Sequence, residues 1–319
     1  MSGIIWKTLF FVFVLFVSPG AHADMGGFAP YADVDLREPG QKAVIAYDGV
    51  EEILILGTDM ESSRDSKALR FIPLPGEPQV QLAEKSLERM ASLVKSKGLS
   101  YRLKLRATGG KEVGAKPLAP EILFHQRLGA HDVTVVKVKD TGHFTSWIDG
   151  FLAGKGLPSR PLTKEEAQVI EDYLRRGFFY FVFDLVELEE RTRTVDPILY
   201  RFRTTHFYYP LITSNLFGHR GRIELFVFLE SKFDHIMLRG GSVLRTGKPS
   251  HVPYWKAISN TVSVENREME PVSEEIPGLL GRHAYLTAYL YEGLLKFEHD
   301  LWLTAPEPES FLRGIRMNK

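Results

Sequence analysis

The chain has 319 residues, which is enough for one large domain or two modest ones with well-buried cores. Its 40 Lys and Arg residues equal its 40 Asp and Glu residues, so it has no overall charge to attract nucleic acid or anionic lipid. Cysteine does not occur in the sequence, which excludes disulfides, thiolate nucleophiles and cysteine-based zinc sites.

Residues 1–23 have the three parts of a secretory signal peptide. Lys7 supplies a positive charge, residues 9–17 form an apolar run, and Ala21-His22-Ala23 matches an Ala-x-Ala cleavage site. The alternative is an uncleaved membrane anchor, but the apolar run is shorter than the roughly 20 residues that span a bilayer. We therefore expect cleavage between Ala23 and Asp24, export to the periplasm or the extracellular space, and no integral membrane span after the signal is removed.

Short β-rich runs follow an extended, weakly patterned lead-in at residues 24–40. Residues 42–47 and 52–56 flank Asp48-Gly49, a dipeptide that is typical of hairpin turns. Residues 57–67 are polar and are predicted to form a loop. Residues 69–74 are predicted to form a third strand, which ends in a proline-rich segment.

Three segments have the apolar spacing of amphipathic helices. They lie at residues 81–97, at residues 143–152 and from Lys164 onward. The third follows a capping box, in which the Thr163 hydroxyl and the Glu166 carboxylate each satisfy a free backbone amide. Gly177 is a suitable C-terminal stop for this helix.

The segment from Gly177 to Leu211 is predicted to form the core. Residues 178–183 are apolar on both faces, which indicates a strand in the middle of a sheet and covered on both sides. A charged turn separates this run from a second aromatic run at residues 197–211. We therefore expect the two runs to form neighbouring antiparallel strands.

Asp184 interrupts the first aromatic run, within the sequence Phe-Val-Phe-Asp-Leu-Val of residues 181–186. A carboxylate is costly to bury without a partner, so it should meet a cation or a donor, or mark where the strand reaches water. If the two runs pair, Arg201 and Arg203 are its candidate partners. A structural ion pair is the favoured interpretation, and a functional carboxylate is the alternative.

The remainder of the chain is mainly β in pattern. Residues 222–230 alternate as a strand, and residues 284–291, rich in Tyr and Leu, favour a strand over a helix. The polar, proline-punctuated residues 248–277 are predicted to form a long excursion with little regular structure.

Several short motifs follow the cleavage site: Gly26-Gly27-Phe28, a strand and turn at residues 41–49, and a proline-punctuated strand end at residues 70–78. These motifs, and the order of the helices and the aromatic strand, resemble the exported bacterial family catalogued as domain of unknown function 2330. The resemblance extends over residues 24–211 and implies export and a shared fold. The family has no assigned activity, so no catalytic residue follows from it. Many members have a cysteine where this chain has Met25.

The ten histidines do not form a metal signature, since the sequence contains no His-Glu-x-x-His, His-x-His or i, i+4 pair. His206 lies inside a predicted strand and is interpreted as a half-buried residue with a partner, with a general base as the alternative. His125 and His131 flank a turn and are interpreted as solvated. Gly-x-Ser-x-Gly does not occur, so we propose no serine triad.

These elements predict an α+β protein with a mixed, mainly antiparallel sheet and about three amphipathic helices packed on it. Residues 24–305 are expected to form a single domain, with residues 155–162 as a candidate subdomain boundary. Residues 306–319 are expected to form a loosely held C-terminal tail.

Two classes of function fit this sequence. The first is a non-enzymatic envelope protein that binds a partner or a small ligand. The second is a hydrolase-like exported enzyme that uses Asp184, His206 and tyrosine side chains. We expect no cofactor and no metal. A deep pocket containing Asp184 or His206 with other ionisable groups would favour the enzyme, and a surface groove or an exposed strand edge would favour binding.

Overall fold

A computed structural model describes residues 26–31, 33–99, 122–128, 131–217, 220–231, 255–257 and 261–303. The predicted signal peptide, its cleavage site at Ala23 and Asp24, and the C-terminal tail lie outside these residues. The strands of the described part are β1 (Gly26–Phe28), β2 (Leu36–Tyr47), β3 (Glu51–Ser62), β4 (Ser66–Leu74), β5 (Gln79–Leu82), β6 (Ile122–Leu128), β7 (His131–Lys137), β8 (Tyr180–Leu188), β9 (Arg193–Thr194), β10 (Ile198–Arg203), β11 (Phe207–Tyr209), β12 (Arg220–Leu229), β13 (Trp255–Ala257), β14 (Val262–Glu265), β15 (His283–Leu294) and β16 (Leu301–Leu303). The helices are α1 (Ser86–Ser96), α2 (Thr141–Gly154), α3 (Lys164–Arg175), α4 (Asn266–Met269), α5 (Glu275–Leu280) and the 3-10 helix Ile212–Phe217.

The strands form two large sheets and one small one. The five-stranded sheet has the order β1-β4-β8-β7-β6. The nine-stranded sheet has the order β13-β15-β12-β2-β3-β10-β5, with β14 also paired to β15 and β9 to β3. β11 and β16 form a separate pair. Every pairing among the described strands is antiparallel except that of β2 with β12, which confirms the predicted α+β fold with a mainly antiparallel sheet.

The two large sheets and the helices enclose two main cores. On β2, Ala43, Ile45 and Tyr47 belong to a cluster that also contains side chains of the five-stranded sheet, α2 and α3. Val44 and Ala46 point the other way, into a cluster shared with α1, α4 and α5. Successive side chains of a strand point to opposite faces, so the continuous apolar run of β2 is buried on both sides.

Features encoded by neighbouring residues agree with the prediction. β2 and β3 form the expected hairpin around Asp48-Gly49, in which the Asp48 side chain accepts from the backbone N–H of Glu51 at 2.7 Å. The capping box at Thr163 is present, and Gly177 ends the helix with a φ of +87°. α1 begins later than predicted, because Gln79–Leu82 forms strand β5.

Three predictions about longer segments are wrong. Residues 57–67 are not one loop, because β3 continues to Ser62 and β4 begins at Ser66. The excursion at 248–277 contains β13, β14, α4 and the start of α5. β13 and β14 pair with β15, and buried side chains of α4 and α5 belong to the core on one face of the nine-stranded sheet. The two aromatic runs do not pair with each other: β8 lies between β4 and β7, whereas β10 lies between β3 and β5 in the other sheet.

Within the described residues, no helix combines the length and the apolar character needed to cross a membrane.

Candidate functional site

Asp184 lies in a closed ionic network between the two large sheets. Its Oδ2 accepts a hydrogen bond from Nη2 of Arg70 on β4, and lies 2.8 Å from Nδ1 of His131 on β7. The other guanidinium nitrogen of Arg70 donates to the hydroxyl of Thr58 on β3. The second ring nitrogen of His131 lies 2.9 Å from the carbonyl oxygen of Asp196. Asp184 and His131 are fully buried, and Arg70 is 3% exposed.

The two neighbours of Asp184 decide its ionisation. Burial by itself raises the pKa of a carboxyl group, but His131 and Arg70 together outweigh it and hold the pKa of Asp184 below its ordinary value of 3.8. Asp184 is therefore an ionised, buried carboxylate whose partners are all protein groups. A substrate has no access to it in this structure.

The predicted partners of Asp184 lie elsewhere. Arg201 is in the nine-stranded sheet, where it donates to Glu51 and to Glu275, each at 2.6 Å. The proposed pairing with Asp184 is wrong because β10 is not a neighbour of β8. Arg203 is exposed at the end of β10.

The second catalytic candidate does not join the first. His206 precedes β11, where its Nδ1 lies 2.8 Å from the Thr205 hydroxyl, whereas Asp184 lies in the middle of the five-stranded sheet. His206 is half-buried, as expected. The expectation that His131 is solvated is wrong. Neither Arg70 nor His131 was predicted to be a partner of Asp184, although Arg70 interrupts an apolar strand in the same way as Asp184 does.

The described residues form a surface cleft of ligand-sized volume. Its volume is about 380 Å³, within the range of small-molecule sites. It is lined by four chain segments, and we call it the Arg203 cleft: Gly49, Val50, Pro75, Arg176, Gly177, Phe178, Arg203, Thr204 and Thr205.

Local backbone geometry brings these segments together. Gly49 has a φ of +103° in the turn between β2 and β3. The backbone N–H of Thr204 donates to the carbonyl oxygen of Val50 at 3.0 Å, which ties this turn to the end of β10. On the opposite side, a Cβ at Gly76 would lie 2.4 Å from the carbonyl oxygen of Arg203, so only glycine allows so close an approach. The cleft is thus built into the fold.

Arg176 forms the cationic wall of the cleft next to α3. Its Nη2 donates to Asp300 at 2.8 Å, and its Nε lies 3.0 Å from Asp172. Asp300 is fully buried and also accepts from the Tyr173 hydroxyl and from the backbone N–H of Leu211 and Ile212. Burial lowers the pKa of Arg176, but the Asp300 charge outweighs this effect and raises it. The charge of Arg176 is therefore fixed and balanced.

Comparison with protein-family models assigns the chain to a family. The family model of uncharacterized proteins conserved in bacteria, DUF2330, matches residues 19–239. The chain belongs to the DUF2330 family. This confirms the resemblance found in the N-terminal motifs, and extends it beyond residue 211 to include β12. A comparison with curated proteins found no match.

Solved structures of baculovirus P35 have a low similarity to this DUF2330 protein. The crystal structure of baculovirus P35 is 11% identical, with a TM-score of 0.42, and the match covers 86% of this chain and 98% of that one. P35 in the crystal structure of the caspase-8/P35 complex is 11% identical, with a TM-score of 0.40, covering 84% and 97%. Similarity at this level does not indicate a shared function.

The described residues offer no cluster of metal-binding side chains. Among them, no three His, Asp or Glu side chains are grouped in a way that could hold a metal ion.

Proposed function

We propose that this DUF2330 protein is an exported, non-enzymatic protein of the cell envelope that binds a small ligand in the Arg203 cleft. The burial of Asp184 carries the choice between the two classes of function. The alternative hydrolase would use Asp184, which would have to reach its substrate, and Asp184 is instead enclosed by Arg70 and His131.

The cleft supports binding by what it offers to a ligand. Arg176 and Arg203 supply guanidinium groups, Thr205 supplies an exposed hydroxyl, and Val50 supplies an apolar surface that is 52% exposed. An apolar lining with a few polar groups that fix orientation is typical of small-molecule sites. The signal-peptide pattern of residues 1–23 supports export of the chain.

Binding and processing can be tested on one preparation. The native protein would be recovered from the exported fraction, its N-terminus sequenced, and a library of small molecules screened by ligand-detected NMR. We expect the mature chain to begin at Asp24. We also expect ligands that bind the wild type and fail to bind Val50→Trp, since an indole at this position fills the cleft.

Leu294→Trp is the matched control, because Leu294 is 49% exposed and is not among the residues that line the cleft. It should bind the same ligands as the wild type. An N-terminus that retains Met1 would contradict export. A screen with no ligand, or with ligands that Val50→Trp still binds, would contradict binding in the cleft.

A further inference from the structure

We infer that the ligand of the Arg203 cleft is a small organic monocarboxylate with an apolar group, and that Arg203 binds its carboxylate. This inference rests on the proposed function. It names the chemical class of the ligand and the residue that selects it.

The charge balance of the cleft is the first argument. Arg176 is neutralised by Asp172 and Asp300, so it adds little net charge to the cavity. Arg203 has no carboxylate within ion-pair distance among the described residues. Its cross-strand neighbour is Glu51, whose carboxylate accepts from Arg201 at 2.6 Å and 3.0 Å.

The lining of the cleft therefore carries one uncompensated positive charge. A ligand with a single negative charge balances it, whereas a dianionic phosphate would leave a charge in excess. A guanidinium can bind both oxygens of a carboxylate through two parallel N–H donors. These points favour a monocarboxylate over a phosphate.

The combination of a charged group with apolar ones is the second argument. Thr205 follows Arg203 by two residues, and both are exposed and line the cleft. Val50, Pro75 and Phe178 supply the apolar part of the lining. A ligand that combines a carboxylate with an apolar body matches this lining.

Rigidity is the third argument. The backbone of Arg203 is held by the close approach of Gly76, and Thr204 is bonded to Val50 through its backbone and to the His206 carbonyl through its hydroxyl. The end of β10 is therefore fixed before a ligand binds. A fixed site loses less conformational freedom on binding than a mobile one does.

The test compares a carboxylate with its neutral analogue. Benzoate, benzamide and inorganic phosphate would be titrated into the mature chain, into Arg203→Gln and into Arg203→Lys, by ligand-detected NMR at low salt. We expect benzoate to bind at least about tenfold more tightly than benzamide or phosphate, as one charge-assisted contact implies. Arg203→Gln should remove this preference, and Arg203→Lys should keep part of it, because the charge remains and the planar fork is lost.

Arg191→Gln is the control for the loss of an exposed guanidinium, since the Arg191 side chain is 71% exposed and pairs with Glu189 at the surface. It should bind benzoate as the wild type does. The inference would be overturned if benzamide bound as tightly as benzoate, or if Arg203→Gln bound benzoate as the wild type does. In either case, loss of binding in Val50→Trp would still support the proposed function. Tighter binding of phosphate would likewise overturn the monocarboxylate. If none of the three probes and no library compound binds, both proposals fail.

Discussion

At the scale of single residues, the ion pair between Asp184 and Arg70 links the two large sheets. The Asp184 carboxylate is on β8 of the five-stranded sheet, and its partner Arg70 also donates to Thr58 on β3 of the nine-stranded sheet. Hydrogen bonds from several donors to an ionised carboxylate offset the cost of its burial, and here both Arg70 and His131 lie at Oδ2. Removal of one partner would leave the other buried without this compensation.

We expect Asp184→Asn to lower the free energy of unfolding by about 3–5 kcal/mol, because the buried Arg70 would then lose its ion-pair partner. Urea unfolding at pH 7 measures this loss. Glu187→Gln is the control: Glu187 is on the same strand and pairs with Lys67 at 3.3 Å, but its side chain is 67% exposed. A surface pair contributes about 1 kcal/mol or less. Equal losses in the two variants would show that the buried network is not a main source of stability.

At the scale of elements, the motif Gly26-Gly27-Phe28 has a specific role in closing one edge of the five-stranded sheet. It forms β1, which pairs with β4. The Phe28 ring stacks on Phe71 with centroids 5.5 Å apart, and the guanidinium of Arg160 lies 5.5 Å from the Phe28 centroid. Arg160 also pairs with Glu166 of the capping box at 2.6 Å. The motif thus joins β1 to the start of α3.

The first glycine of this motif is required for close packing. A Cβ at Gly26 would lie 2.1 Å from the Phe71 ring, which is itself fully buried. We expect Gly26→Ala to lower the free energy of unfolding by about 1–3 kcal/mol, the usual cost of overpacking a core. Chemical denaturation measures it.

Gly150→Ala is the matched control, since Gly150 is in the middle of α2 and a Cβ there would meet nothing within 4 Å. Alanine is the better helix former, so this variant should be as stable as the wild type or more stable by up to about 1 kcal/mol. If Gly26→Ala were as stable as Gly150→Ala, the contact with Phe71 would not explain the motif.

The elements that were predictable from the sequence are those encoded by neighbouring residues. The capping box spans only Thr163 to Glu166, and the β2–β3 turn is set by Asp48 and Gly49. Strand partners and site residues are set by contacts between distant segments, so the same reasoning could not find them. Asp184 and Arg70 are 114 positions apart.

The pairing of β10 shows how the chain chooses between two acceptable neighbours. β8 and β10 are both aromatic, and proximity in sequence favours pairing them. Instead, the intervening segment pairs with β3 as β9, and the Thr194 hydroxyl donates to Asp59 at 2.6 Å. This contact directs the chain into the other sheet before β10 begins. The Arg203 cleft was not predictable for the same reason, since its four segments meet only in the folded protein.

At the scale of the whole molecule, two buried carboxyl groups give opposite dependences of stability on pH. The pKa of Asp184 is lowered in the folded state, so its contribution is present above pH 3.8 and is lost as the pH falls through its folded pKa. Glu52 is also fully buried, and its Oε2 accepts from the backbone N–H of Tyr208 at 2.7 Å. Burial raises the pKa of Glu52 well above its ordinary value of 4.5, although the hydrogen bond from Tyr208 partly opposes this rise.

The sign for Glu52 follows from this raised pKa. Below pH 4.5 the carboxyl group is protonated in both the folded and the unfolded chain. As the pH rises above 4.5, the unfolded chain releases this proton while the folded protein retains it, so the stability falls until the pH passes the folded pKa. One such proton accounts for a slope of up to about 1.4 kcal/mol per pH unit.

We therefore expect Glu52→Gln to remove most of the loss of stability between pH 5 and pH 8, because an amide can accept from Tyr208 without ionising. The expected difference is about 1 kcal/mol or more, since one pKa unit corresponds to about 1.4 kcal/mol. Urea unfolding at several pH values measures the slope for the wild type and the variant. Glu187→Gln, which changes an exposed carboxylate, should retain the wild-type slope. Glu224 keeps a residual slope in both, since burial also raises its pKa. Equal slopes in wild type and Glu52→Gln would mean that Glu52 is ionised in the folded protein at neutral pH.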